Sequence, residues 1–350
     1  MLEPPAIRAA GLRPSWIAGG GVALLVAGVA GLSMGAVPIA APRILLELLD
    51  HVPGIDVRSG LSPREADIVW ELRAPRVALG FLVGAMLAVA GASFQGVFRN
   101  PLADPYLLGA AAGAGLGATI AIGGHLDWEV GPFDTIPLAA FVGTLVAVFL
   151  AYAVSTVGGR DPSPAVLLLA GVAVMTFLTA VQTFLLQRQA DTIREVYTFI
   201  LGRLLTAGWG EVVLVLPYAG LSITVLLLHR RRLDVLAVGD DEATSLGVDV
   251  TRTRLVIVVF ASLATAAAVS VSGLIGFVGL VVPHIVRLLA GSSFRVVLPL
   301  SVLFGAAFLV LADLVARTAL SPSEIPIGVV TAFFGAPFFV LVLRARGRLV

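Results

Sequence analysis

Four histidines (His51, His125, His229 and His284), four methionines and no cysteine are the whole stock of nitrogen and sulfur metal ligands in this 350-residue chain. No two of the histidines stand at ligand spacing, so no resident metal site is expected, and a pore for bare transition-metal ions would need more donors. Any metal cargo is therefore expected to travel inside an organic chelate. All 23 basic residues are arginine. Without lysine the chain cannot form a phosphate loop of the Walker type or a Schiff base, so it does not hydrolyse ATP by itself. Gly31-Leu-Ser33-Met-Gly35 satisfies the G-x-S-x-G pattern of serine hydrolases. A triad also needs a base, and His284 is the one histidine within an apolar stretch, so Ser33 reads as a chance match in a glycine-rich helix.

The charges inside apolar stretches are Asp313 and, near helix ends, His284, Arg287 and Arg317. Intramembrane charges carry function by default. Asp313 and Arg317 are four residues apart, which permits a structural ion pair on one helix face; the other reading is a proton-coupling carboxylate in a secondary transporter. Arg73, Arg76 and Arg317 fall at helix ends on the side that carries fewer arginines, against the orientation rule. Phosphate of the lipid headgroups or a carboxylate-bearing partner accounts equally for cations placed there. Residues 233–248 mix acidic residues with an apolar stripe of Leu236, Ala243, Leu246 and Val248, bounded by Gly239 and Gly247. This reads as a short helix offered to a soluble partner or as a solvated loop.

The elements that must position these residues are membrane helices. The chain is 58% hydrophobic and 13% charged, with mean hydropathy +1.01, outside the range of soluble domains. About 20 apolar residues cross a bilayer core of about 30 Å. Ten stretches meet or approach that length: 16–38, 75–96, 106–123, 135–157, 164–187, 211–228, 255–273, 275–290, 297–316 and 326–343. The fold class is an all-α polytopic membrane protein of ten transmembrane helices in one domain, 1–350. Residues 1–15 form a tail, 39–74 an outer loop, 188–210 an outer segment with a surface helix, and 229–254 a cytoplasmic loop. An even number of spans puts both termini on one side. Most arginines, including Arg230, Arg231 and Arg232 and the ending Arg344-Ala-Arg346-Gly-Arg348, mark that side as cytoplasmic. Trp16, Trp70, Trp128 and Trp209 fall at helix ends, as interfacial aromatics do. Gly109, Gly113 and Gly117 share a helix face suited to close packing. A faint echo between 83–101 and 265–283 suggests an inverted repeat.

Several runs together resemble one family. Arg73-Ala-Pro-Arg76 and Gln95-Gly-Val-Phe-Arg-Asn100-Pro101-Leu-Ala-Asp104-Pro105 are similar to the permease subunits of the iron-siderophore, haem and vitamin B12 ABC importers, the BtuC-like type II importers. So are Leu246-Gly-Val, Gly276 through Pro283-His284 to Arg287, Leu311-Ala-Asp313 through Arg317, and Glu324-Ile-Pro-Ile-Gly328. The similarity covers about residues 70–343. It implies a ten-helix permease that imports a metal chelate as a homodimer, with the cargo path lined largely by the fifth helix. It further implies two ATP-binding partner subunits that hold ATP and magnesium, a periplasmic or lipid-anchored binding protein, and a bacterial inner membrane. Membrane lipid is expected as a partner, and nucleic acid is not. By resemblance, Arg73, Arg76 and Arg317 dock the binding protein. Gly239, Glu242, Ala243, Leu246, Gly247 and Val248 couple to the ATPase. Ser163, Pro164 and Ala165 fall at a cytoplasmic gate, where Asp161-Pro-Ser-Pro164 departs from the family's hydroxyl-rich stretch. Gln95, Asn100, Pro101, Asp104, Pro283, His284 and Asp313 belong to structural motifs. The chain is expected to have no catalytic residue and to bind no cofactor.

Overall fold

The computed structural model describes residues 11–54, 56–126, 134–157, 163–204 and 208–346. Ten long helices account for the ten apolar stretches: α1 (Pro14–Ser33), α4 (Ala74–Val97), α5 (Ala110–Gly123), α6 (Thr135–Ser155), α7 (Pro164–Arg188), α9 (Trp209–Leu228), α12 (Val250–Ser272), α13 (Val278–Ala290), α14 (Phe294–Thr318) and α15 (Ile327–Arg346). Five short helices sit in the connections: α2 (Ala41–Asp50), α3 (Pro63–Asp67), α8 (Ile193–Ile200), α10 (Arg230–Leu236) and α11 (Asp240–Ser245). Seven of the long helices are long and apolar enough to cross a membrane, and α5, α13 and the apolar part of α15 are shorter.

Helix α4 is the axle of the bundle. Nearly all of its side chains from Val83 to Val97 are buried, although the sequence is as apolar as a lipid-facing span. Small residues make this possible, because they let neighbouring backbones approach closely. A Cβ at Gly84 would collide with the Gly305 carbonyl of α14, and one at Gly91 with the backbone of Gly279 in α13. The glycine face expected on the third span behaves likewise. Gly113 meets the Gly143 carbonyl and Gly117 the Ala139 carbonyl, both on α6. Gly109 instead stands just before α5 at φ +83°, where a side chain would be strained.

Helices α5 and α13 are shorter than the expected 106–123 and 275–290 because their approaches are not α-helical. Pro105–Leu108 form a 3₁₀ turn, and 273–276 are non-helical, with Phe277 at φ +69°. Backbone of this kind is tolerated at membrane depth only inside protein. The two breaks satisfy each other: the Tyr106 hydroxyl donates to the Ile275 carbonyl (3.1 Å) and accepts from the Ile275 N–H (3.2 Å). These breaks lie in or beside the two stretches that echo each other in sequence.

The second span does not begin at residue 75. It continues upstream through a π-helical turn, Ile68–Arg73, into α3, so that 63–97 run as one helical rod. Pro75 lacks an N–H and would strain a regular helix just behind it. The wider π turn absorbs that defect. The outer loop 39–74 is therefore largely structured. A capping box between Ser62 and Glu65 starts α3, Arg43 of α2 pairs with Glu65 at 2.9 Å, and Trp70 Nε1 donates to Glu47 (2.9 Å). Trp209 Nε1 in turn donates to the Trp70 carbonyl (2.9 Å), which ties α9 to this segment. Trp128 lies outside the described residues.

Candidate functional site

Two charged centres lie at opposite ends of the bundle. At the end where α1 finishes, Arg73 is buried within the rod, with its guanidinium turned toward the C-terminus of α1. It donates to the carbonyls of Leu32 (2.7 Å), Ser33 (3.2 Å) and Val37 (2.5 Å). Arg317 of α14 donates to the Gly31 carbonyl (2.5 Å). The last carbonyls of a helix have no partners within it and carry partial negative charge. Two arginines from other helices therefore cap α1. The expectation that both stand exposed on the outer face does not hold: Arg73 is 6% and Arg317 9% exposed. A helix end and a carboxylate hold these cations in place.

That carboxylate is Asp313. The pairing read from its spacing to Arg317 exists but is the looser one, at 3.6 Å. Its main partner is Arg76 in the neighbouring α4, whose Nε and Nη2 bond Asp313 at 2.8–3.1 Å. The other edge of the Arg76 guanidinium is taken by Glu324, at 3.0 and 2.8 Å. Glu324 is the site residue the sequence reading missed as a charge. It stood inside a quoted motif, but nothing in the sequence brings residue 324 to residue 76. Asp313 is 2% exposed and held between two guanidiniums. Ser33 is buried at the end of α1. His284 packs against Phe338 and Phe339 of α15, so no hydrolase pairing joins the two.

At the opposite end, α10 and α11 are tethered by two aspartates. Asp234 caps α14, accepting from Ser293 Oγ (2.8 Å) and the Phe294 N–H (2.6 Å), with Arg295 at 3.3 Å. Asp240 receives Arg254 at 3.1 Å and also Arg99 at the end of α4. Burial raises the Asp240 carboxyl pKa, but the bonds and charges of Arg254 and Arg99 outweigh it and hold the group below its usual range. Arg99 also donates from Nε to the Leu236 carbonyl (2.6 Å). These four residues tie this segment to the tips of α4, α12 and α14.

The apolar stripe read across this segment divides in the structure. Leu236 and Ala243 are fully buried, whereas Leu246 is 69% exposed, as is its neighbour Val238. Val248 is half-buried and Glu242 exposed. Glu242 crowds the Cα of Gly239, where a Cβ would collide with its carboxylate, and Gly247 turns the chain at φ +80°. The stripe divides because α11 has fewer than two turns: one side must anchor it, and the other is left outside.

The motif residues act as joints. Gln95 donates to the Gly279 carbonyl (3.0 Å) and accepts from Arg287, linking α4 to α13. Asn100 accepts from the Leu102 N–H (2.9 Å) in the turn containing Pro101, and Asp104 caps the 3₁₀ turn by accepting from the Tyr106 N–H (2.8 Å). Pro283 sits inside α13. Ser163 caps α7 with Pro164 in its first turn and Ala165 exposed; residues 158–162 lie outside the described residues. Among the described residues no cluster of three potential metal ligands occurs.

The chain is 28% identical to a solved metal-chelate type ABC transporter in an inward-facing conformation, over 95% of this chain and all of that one, with a TM-score of 0.82. It is 44% identical to the cobalamin import system permease protein of Halobacterium salinarum, over 89% of this chain and 82% of that protein. It is also 39% identical to the hemin transport system permease protein of Yersinia pestis, over 80% and 85% of the two chains. The profile of the FecCD transport family matches residues 23–345. These likenesses establish that the chain belongs to the FecCD transport family, the membrane permease subunits of ABC importers.

Proposed function

We propose that this permease works as a homodimer with two ATP-binding subunits at the α10–α11 face and a substrate-binding protein at the outer face, and that it admits a metal chelate to the cytoplasm. Cobalamin, haem and iron complexes are the cargo classes of its relatives. ATP and magnesium belong to the partner subunits, and both termini lie in the cytoplasm.

One observation carries the coupling assignment. Leu246 and Val238 project from a segment that is bonded to α4, α12 and α14 through Asp234, Asp240 and the Leu236 carbonyl. An apolar knob on a rigid tether passes a push from a soluble partner to the central helices rather than absorbing it. The face of α7 supports the dimer axis. Thr176, Thr179, Thr183 and Gln187 are exposed among Leu169, Phe177 and Phe184, and polar groups left open within a span suit a wet path better than lipid. The hydroxyls of Thr176 and Thr183 already donate to their own helix, each at 2.8 Å. Such a wall guides a chelate without gripping it, as release requires. Arg76 lies at the mouth of an outer cavity and is the docking cation a partner can reach. Arg73 and Arg317 support docking through their field. Ser163, Pro164 and Ala165 at the start of α7 remain the assigned gate.

The test is reconstitution in liposomes. Chelate uptake should require ATP, a phosphate-loop-bearing partner and the binding protein. Uptake by this chain alone under a proton gradient would overturn the reading in favour of a secondary transporter.

A further inference from the structure

We infer that the outer-face cavity between Arg203 and Arg76 is the seat of a carboxylate from the docking protein, and that Glu324 fills it as an internal stand-in until that protein arrives. The inference rests on the docking reading above and names the residues that would carry it out.

The cavity has a volume of about 460 Å³ and is lined by Arg76, Arg203, Thr198 and Glu324 among others. The two carboxylates on Arg76 differ in kind. Asp313 is buried, lies within a helix and is shared with Arg317. Glu324 has a side chain 33% exposed and lies on the non-helical approach to α15, and its carboxylate bonds Arg76 alone among the described residues. It occupies the outward edge of the guanidinium, where two N–H groups point in parallel and an incoming carboxylate would bind in the same bidentate way. Arg203 stands across the cavity, exposed, with no hydrogen bond or ion pair to its guanidinium among the described residues. Among the residues that line the cavity, Arg76 and Arg203 outnumber Glu324, so the cavity attracts further negative charge.

Exchange also avoids a cost that simple docking would meet. Arg76 is only 11% exposed, and stripping it of a partner would leave a buried charge uncompensated. Swapping one carboxylate for another keeps it paired throughout. The released Glu324 heads a segment bonded to two places that matter. Ile325 N–H donates to the Ala316 carbonyl of α14 (2.8 Å), and Ile327 and Gly328 N–H donate to Gly202 and Leu201 beside Arg203 (both 3.1 Å). Docking at this cavity is thereby joined to the start of α15 and the end of α14.

The experiment uses the permease–ATPase complex in nanodiscs and the substrate-binding protein that supports its transport, with affinity read by interferometry at low and high salt. Arg203→Glu should weaken docking about tenfold or more, with a smaller effect at high salt. Glu324→Gln keeps the shape and removes the competing charge, and should tighten docking several-fold. Thermal unfolding of each complex checks that neither change has disturbed the fold. If Arg203→Glu weakens docking but Glu324→Gln leaves it unchanged or weaker, the exchange is refuted and the docking reading stands. If neither of these nor Arg76→Gln alters docking, the docking reading itself falls.

Discussion

The two ends of this permease's bundle use charge in opposite ways. At the end where α1 finishes, arginines from the 63–97 rod and from α14 turn inward onto the carbonyls of α1 and onto Asp313, and almost nothing charged in that cluster faces out except Glu324. At the opposite end, aspartates anchor a short helix so that apolar Leu246 and Val238 are the groups left outside. A cluster of like charges is therefore no evidence of a docking surface until its partners are known. The cations at one end hold three helices together, and the anions at the other hold the segment proposed to meet the ATPase.

The largest expected effect tests whether the cluster around Asp313 is structural. Asp313→Ala leaves Arg317 without its carboxylate and Arg76 with Glu324 alone, and should destabilise the protein by about 3–5 kcal/mol, the range for removing one partner of a buried pair. Thermal unfolding in detergent reads it, and a melting curve like that of the wild type would mean that the cluster is not what joins the helices. Leu246→Asp should leave the melting curve alone yet abolish copurification of the ATPase. An intact complex would remove that segment from the comparison. Intermediate in size is Asp234→Ala, which deprives α14 of its cap and should cost about 1–2 kcal/mol, along with a drop in ATPase stimulation by the binding protein. Stimulation at the wild-type level would show that the tether carries no signal.

The smallest effect lies in the outer segment. Arg43, then the Ser62 N–H and hydroxyl, hold the Glu65 carboxyl at about 2, below its ordinary value of 4.5. The folded value is the lower one, so the stability from this staple is present above about pH 4.5 and fades as pH falls toward 2. Arg43→Gln should move the Glu65 titration up toward 4.5, as read by carboxyl carbon chemical shifts. An unmoved titration would assign the shift to the cap alone.

Much of the fold was legible because hydropathy over some twenty residues is a local property. The ten stretches, the glycine face of α5 and the surface helix α8 could all be read one segment at a time. The start of the second span was misplaced because Pro75 looks like a helix start, whereas a π turn carries the helix through it. The site was harder. Spacing offered Asp313 and Arg317 as a pair since four residues is one helical turn, but the stronger bond runs from Asp313 to Arg76. Likewise the stripe of Leu236, Ala243, Leu246 and Val248 is continuous in sequence and divided in space.

The sequence by itself determined what this protein cannot do and where it resides. Without lysine it has no phosphate loop of its own, and its apolar stretches of bilayer length make it a membrane protein. Only the tertiary structure decided which charges are available to a partner. Pairing in a bundle joins residues 76, 313 and 324, whose helices meet through packing that no local pattern records. In a buried, low-dielectric setting each charge must find such a partner or pay heavily for lacking one.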